Sequence, residues 1–280
     1  MRPLLSLLLS LLLLTAASPS QTQNVYEIYA IEYAKRPAPV CAADIAVGGK
    51  STDSVGMSFY IWYLKGDNGK RIVVDAGFWE DLIGADTSLM SYRRPDLGLR
   101  RINVDPDSVT DLVITHPHWD HIDGMDLFPN ATVWMQKKDY AYFVGDAWQA
   151  GGYTVGLVKR DVLKIAKANT DGRLRLVEGD SLEIIPGVRV FTGSGHSFGS
   201  QRLLVDARPS RILLASDDSW FTYNLINELS VPLTFDQKAY VQELQRMKKH
   251  VASSDQIVTG HDARELARFP LVADRVVKIR

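Results

Sequence analysis

The stretch Thr115-His116-Pro117-His118-Trp119-Asp120-His121 decides how this chain is read. Three histidines and a carboxylate fall within six residues, directly after the apolar run Leu112-Val113-Ile114. A short run of that kind reads as a buried strand, and the first histidine marks its exit. Side chains two apart on an extended backbone share a face, so His116 and His118 can aim at one point. Asp120 and His121 lie past a turn and can face a second point. Three packed histidines are hard to keep buried, neutral and hydrogen-bonded without a cation. Imidazole and carboxylate are ligands that zinc takes at neutral pH. The segment is therefore read as a metal-binding loop.

Further along the chain, more groups of the same chemistry sit in comparable places. His196 closes Gly193-Ser194-Gly195-His196, just past a strand. Asp217 follows the strand Ile212-Leu213-Leu214-Ala215-Ser216, and His261 follows Ile257-Val258-Thr259 and Gly260. Each lies at a strand end, where loops of one sheet edge converge. A single histidine in such a place is more often an ordinary core or surface residue; it is the company of the first motif that makes these candidates. Of the six histidines, only His250 falls outside the pattern, at a helix end.

Around these motifs, strand patterns alternate with helical ones. Residues 59–64 and 71–75 read as two strands joined by the turn Gly66-Asp67-Asn68-Gly69. Residues 112–115, 131–135, 173–177, 188–192, 202–205 and 211–215 are further strand candidates. Thr234 and Gln237 form an expected capping box. Tyr240, Leu244, Met247 and Val251 follow it at helical spacing, with Lys248, Lys249 and His250 at the end that favours positive charge. A second helix is expected near Asp262, and residues 137–170 read as mostly helical with a break at Gly151-Gly152. This mixture is an α/β sandwich. Hydrophobic content of 46% and charged content of 23% fit an ordinary globular domain. A net charge of −1 gives no reason to expect nucleic acid as a partner. Arg2, the apolar run 4–14 and the small residues Thr15, Ala16, Ala17 and Ser18 read as a signal peptide over 1–20. The run is too short for a stable membrane anchor. Residues 21–280 would form the mature domain, secreted or periplasmic. Cys41 is the only cysteine, so no internal disulfide can form.

The His-x-His-x-Asp-His string, the later Gly-His, the strand-end Asp and the final Gly-His together resemble the motif set of the metallo-β-lactamase superfamily. Ile72-Val73-Val74-Asp75-Ala76-Gly77 is similar to that superfamily's opening Asp-x-Gly turn. The resemblance implies a four-layer αββα sandwich and two divalent ions, with zinc the expected metal. It also implies the ligands: His116, His118 and His196 for one ion, Asp120, His121 and His261 for the other, and Asp217 as the bridge. Asp75 would steady the loop without ligating. His196 and Asp217 are 21 residues apart, and Asp217 and His261 are 44. Those gaps resemble the N-acyl homoserine lactonases. With 19 residues after His261, the C-terminal region of the glyoxalase II thioesterases is not expected here. The implied chemistry is opening of a lactone or related ester by a metal-bridging hydroxide, with Asp120 shuttling a proton to the leaving group. An N-acyl homoserine lactone is the expected substrate, and the activity would be quorum quenching.

One departure stands out. Those lactonases carry tyrosine three residues after the bridging Asp, and here that position is Trp220. An indole N–H donates but is neither acid nor base at working pH; Tyr223 is the candidate replacement. Trp220, Phe221 and Tyr223 are accordingly the expected substrate pocket. Tyr140, Phe143, Val144 and Trp148 share a helical face that reads first as core and second as an acyl-chain wall. The alternatives are hydrolysis of a β-lactam, thioester or phosphoester in the same fold, a non-catalytic metal-binding protein, or an iron redox enzyme. The expected partners are a small-molecule substrate and, at most, a second copy of the chain as a homodimer.

Overall fold

Residues 59–64, Phe-Tyr-Ile-Trp-Tyr-Leu, are apolar throughout because their strand, Ser58–Gly66, is buried on both faces. Phe59, Ile61 and Tyr63 enter one core, and Tyr60, Trp62 and Leu64 enter another. The computed structural model describes residues 24–84, 90–193 and 195–280. The expected signal peptide lies outside them. Among the described residues, no helix is long and apolar enough to cross a membrane.

Ser58–Gly66 pairs with Tyr26–Lys35 and with Arg71–Val74 in a nine-stranded sheet. Arg71–Val74, Asp111–Val113, Thr132–Gln136 and Leu174–Val177 then run parallel to one another. A five-stranded sheet runs in the order Leu182–Ile185, Val188–Thr192, Gln201–Asp206, Arg211–Ser216 and Ile257–Thr259, its last pair parallel. Trp62, Val74 and Val113 from the first sheet pack on Val190, Leu203 and Leu214 from the second. Helices Lys137–Val144 and Lys159–Thr170 cover the outer face of the first sheet through Phe143 and Ile165. Helix Gln237–Lys248 covers that of the second through Tyr240, Leu244 and Met247. The result is the four-layer αββα sandwich.

Several elements differ from the sequence reading. The first strand, Tyr26–Lys35, has no counterpart there. Its Glu32 is buried, accepting from the Ser58 hydroxyl at 2.6 Å and facing Arg275 at 3.4 Å. The capping box at Thr234 does not form: Asp236 caps the helix, accepting from Ala239 N–H at 2.9 Å. Thr234 instead donates its hydroxyl to the Gly195 carbonyl. The helix expected near Asp262 is the single turn Glu265–Arg268. Tyr140, Phe143, Val144 and Trp148 pack on the first core, which is the bland reading of that stripe.

Candidate metal centre

Four of the candidate segments leave strands at one edge of the sandwich, where ligands gather in parallel sheets. Asp75 follows Arg71–Val74, the histidine loop follows Asp111–Val113, Asp217 follows Arg211–Ser216, and His261 follows Ile257–Thr259. His116 and His118 lie on the extended exit. The helix Trp119–Ile122 then begins and carries Asp120 and His121 in its single turn.

All seven candidate ligands meet there, and each is at most 8% exposed. They form two groups: His116, His118, His196 and Asp217 in one, Asp120, His121 and His261 in the other. In the first, His116 Nε2, His118 Nδ1 and His196 Nε2 lie 3.0–3.1 Å apart. Asp217 Oδ2 is 3.0 Å from His196 Nε2 and 3.6 Å from His116 Nε2. In the second, Asp120 Oδ2 is 3.4 Å from His121 Nε2 and 3.6 Å from His261 Nε2. The other Asp217 oxygen, Oδ1, is 3.2 Å from His121 Nε2 and 3.0 Å from His261 Nε2. One carboxylate therefore puts one oxygen into each group. Ligands about 2.0–2.1 Å from a tetrahedral zinc ion stand roughly 3.3 Å from each other, so these spacings fit.

The hydrogen bonds behind the rings decide which nitrogens face inward. His261 Nδ1 sits 3.0 Å from the Ser58 carbonyl, which only accepts, so that nitrogen carries the hydrogen. His121 Nδ1 donates to Asp75 Oδ2 at 2.8 Å. Thr115 gives its hydroxyl hydrogen to Asp75 at 2.9 Å and so accepts from His116 Nδ1 at 3.1 Å. Each of these Nε2 atoms is left with a lone pair aimed into the cluster, as such outer partners do for metal-bound imidazoles. His121 Nε2 and Asp217 Oδ1 are buried and make no hydrogen bond, although they lie 3.2 Å apart. Two such atoms facing each other in a dry site are expensive unless a cation lies between them. Burial, reinforced by its histidine neighbours, pushes His118 down to about 3 and His116 well below its usual range, so both are neutral. Burial opposes charge on His121 and His261 too, but Asp120 and Asp217 outweigh it and raise both. The field that attracts a proton there attracts a cation equally. Asp217 and Asp120, despite burial, are held below the usual carboxylate range by those histidines.

Several supporting residues carried no signal in the sequence. Asp75 was legible, and it accepts from Thr115 N–H, the Thr115 hydroxyl, His121 and the Ser216 hydroxyl at 2.8–3.1 Å. Thr115 and Ser216 flank candidate ligands, and nothing in their residue type marks them as partners of Asp75. Tyr33 donates to the Asp120 carbonyl at 2.7 Å, and Tyr240 to that of Asp217 at 2.9 Å. Buried Asp139 accepts from the Ser197 hydroxyl and Gly199 N–H, both at 2.7 Å, which fixes the loop behind His196. Gly156 has φ +81°, and a Cβ there would stand 2.7 Å from His118 Cδ2. Gly156→Ala should therefore displace His118 and loosen the first group's hold on metal by about 10-fold or more. Chelator competition checks this, with circular dichroism expected to be unchanged.

A cavity of about 380 Å³ opens onto the site. Met57, Phe59, Leu82, Ile83, Trp119 and Leu233 give it apolar walls, Arg36 stands at its edge, and Asp120, Asp217, His118 and His261 reach its floor. Of the three expected pocket residues, Trp220 lines it. Phe221 does not: it is fully buried against Ile45, Ala46 and Val55. Tyr223 does not either, since its hydroxyl donates to Asp53 at 3.2 Å and accepts from Lys50 N–H. The chain turns into the helix Thr222–Asn227 straight after Trp220 and carries both side chains away.

An αββα sandwich with a histidine- and aspartate-lined edge defines a class of metal-binding hydrolase folds. Residues 52–252 match the model of the metallo-beta-lactamase superfamily, and the chain belongs to that family. Similar curated proteins are N-acyl homoserine lactonases. One from Bacillus cereus is 28% identical over 166 residues, 59% of this chain and 60% of the relative. One from Rhizobium radiobacter is 33% identical over 181 residues, 61% of this chain and 65% of the relative. The chain thus spans 60% of the length of the Bacillus cereus relative it matches. Among solved structures, a mutant of B. thuringiensis AiiA with N-decanoyl-L-homoserine bound aligns with a TM-score of 0.68 at 21% identity, over 89% of this chain and 98% of that one. AidC, a dizinc quorum-quenching lactonase, aligns with a TM-score of 0.61 at 16% identity, over 85% and 91%. At these identities the structures bear on the fold.

Proposed function

We propose that this chain is a dinuclear metal hydrolase that opens lactones, with N-acyl homoserine lactones as its first substrate class and zinc as its metal. The single observation that carries the reading is Asp217, which puts one carboxylate oxygen into each of two histidine groups. The similar curated proteins named N-acyl homoserine lactonase support the substrate class. His116, His118 and His196 would hold one ion and Asp120, His121 and His261 the other, with Asp217 reaching both groups. When bound, the ions supply a nucleophile from water at neutral pH and polarise the ester carbonyl. The chain does the rest. Phe59, Leu82, Ile83 and Leu233 take the acyl chain and keep bulk water from the floor of the pocket. Asp120, anionic and open to the cavity, carries the proton of the attacking water on its carboxylate to the alkoxide oxygen released by the ring. In a lactone that oxygen stays tethered, so the product is an acyl hydroxy acid. The leader over residues 1–20 would deliver the enzyme outside the cytoplasm, where diffusing lactones are met.

The test is ring-opening of N-hexanoyl- and N-decanoyl-homoserine lactone by the zinc-loaded protein, followed as proton release. Turnover that is lost on chelation is expected. Two bound ions with no turnover on either lactone would contradict the substrate class and leave thioesters, β-lactams and phosphoesters to try.

A further inference from the structure

Asp217 is shared between two groups, and something must stop its carboxylate from rotating to serve one of them alone. Its Oδ1 has no hydrogen-bond donor. Its Oδ2 has one: Trp220 Nε1–H, at 2.6 Å. An indole N–H can only donate, and a donor on a carboxylate makes a strong, charge-assisted bond. The backbone of Trp220 is tied to the second group as well, because its carbonyl accepts from His261 N–H at 2.7 Å. Its ring stands 5.8 Å from both His196 and His261, nearly edge-on to each. One residue therefore touches a histidine of each group and the carboxylate they share.

We infer that Trp220 is a positioning residue that fixes how the Asp217 carboxylate is divided between the two metal groups, an inference that rests on the dinuclear reading above. With the indole donor in place, Oδ2 stays with His116, His118 and His196 while Oδ1 faces His121 and His261. Without it, the carboxylate can turn both oxygens to one ion and leave the other a ligand short. The same ring lines the cavity, so wall and donor must be separated experimentally. Trp220→Phe keeps an aromatic wall and removes the N–H. Trp220→Gln removes the wall but places an amide N–H the same number of bonds from Cβ.

The experiment is chelator competition on the zinc protein, paired with the visible spectrum of its cobalt(II) form. The wild type should bind two ions. Trp220→Phe should hold one of them about 10–100-fold more weakly, the usual effect of losing an outer partner of a metal ligand, with an altered cobalt spectrum. Trp220→Gln should restore the affinity to within a few-fold of wild type. Equal ion affinities in Trp220→Phe and wild type would overturn the inference, as would a Trp220→Gln variant as weak as Trp220→Phe. Trp220→Leu serves as the donor-free variant if the phenylalanine form does not fold. Two ions bound without hydrolysis of any lactone would contradict the substrate class while leaving this inference standing. Fewer than two ions in the wild type would overturn both.

Discussion

Asp217→Asn should cost the protein its paired metal site and nearly all of its hydrolytic activity. The substitution keeps the shape and removes one negative charge from a buried cluster of five histidines. With Asp217 neutral, Asp75 and Asp120 still balance His121 but Asp120 alone faces His261, and an amide NH₂ must point into one of the two groups. That NH₂ repels a cation where a carboxylate oxygen attracted one. We expect one ion or fewer per chain and a rate at least ~10³-fold lower, since loss of even one preorganised electrostatic contact commonly costs about 10²–10³. Elemental analysis and lactone turnover measure the two effects. His250→Ala is the matched control. His250 stacks on Phe191 at 4.0 Å, far from the cluster in role, so its loss should leave metal content and rate near wild type. Equal behaviour of the two variants would refute the ligand assignment.

Asp75→Ala should have the largest effect on stability. Asp75 is fully buried and accepts four hydrogen bonds that tie together the histidine loop, His121 and the strand end at Ser216. The Thr115 and Ser216 hydroxyls already lie 2.9 Å apart and can pair with each other. Thr115 N–H would be stranded and His121 Nδ1–H left with only the Ser216 hydroxyl at 3.5 Å, at about 1–3 kcal/mol each. A loss of about 2–6 kcal/mol is therefore expected from denaturant unfolding of the metal-free protein. Its residue also has φ 59°, which alanine tolerates poorly. Asp75→Asn is the milder companion. It tolerates that backbone and can still accept from Thr115, but its NH₂ would meet His121 Nδ1–H. It should fold and lose the ion of the second group. A metal-free stability equal to wild type in Asp75→Ala would show that the acceptor network is not what holds the loop.

The clustering of the candidate ligands was legible in the sequence because its chemistry is local: six residues of the histidine loop carry four of them after one apolar strand. Asp217 and His261 were legible because each follows a strand, and His196 because it closes the Gly-His of the loop between two strands. Asp75 could be named from its resemblance alone; of its three partner residues His121 was legible as a candidate ligand, while Thr115 and Ser216 were not, because they are ordinary strand-end residues until the two sheets meet. Of the expected pocket residues, Trp220 lines the cavity and Phe221 and Tyr223 do not. Phe221 and Tyr223 are near Asp217 in sequence, but a helix start separates neighbours in the chain from neighbours in space. The cavity's apolar lining, Met57, Phe59, Leu82 and Leu233, comes from distant segments and has no local pattern linking it to a metal loop. Tyr26–Lys35 carries no clear strand pattern because two glutamates interrupt its apolar run. Glu27 is met by Lys65 and Lys278, and Glu32 by Ser58 and Arg275, all of them long-range partners.

The central claim is that two ions share Asp217 and work together. The direct measurement is lactone turnover at stepwise zinc additions to the metal-free protein, with bound metal counted at each step. The account expects about two zinc ions per chain at saturation and activity that rises mainly with the second. Saturation at one ion with full activity would contradict it.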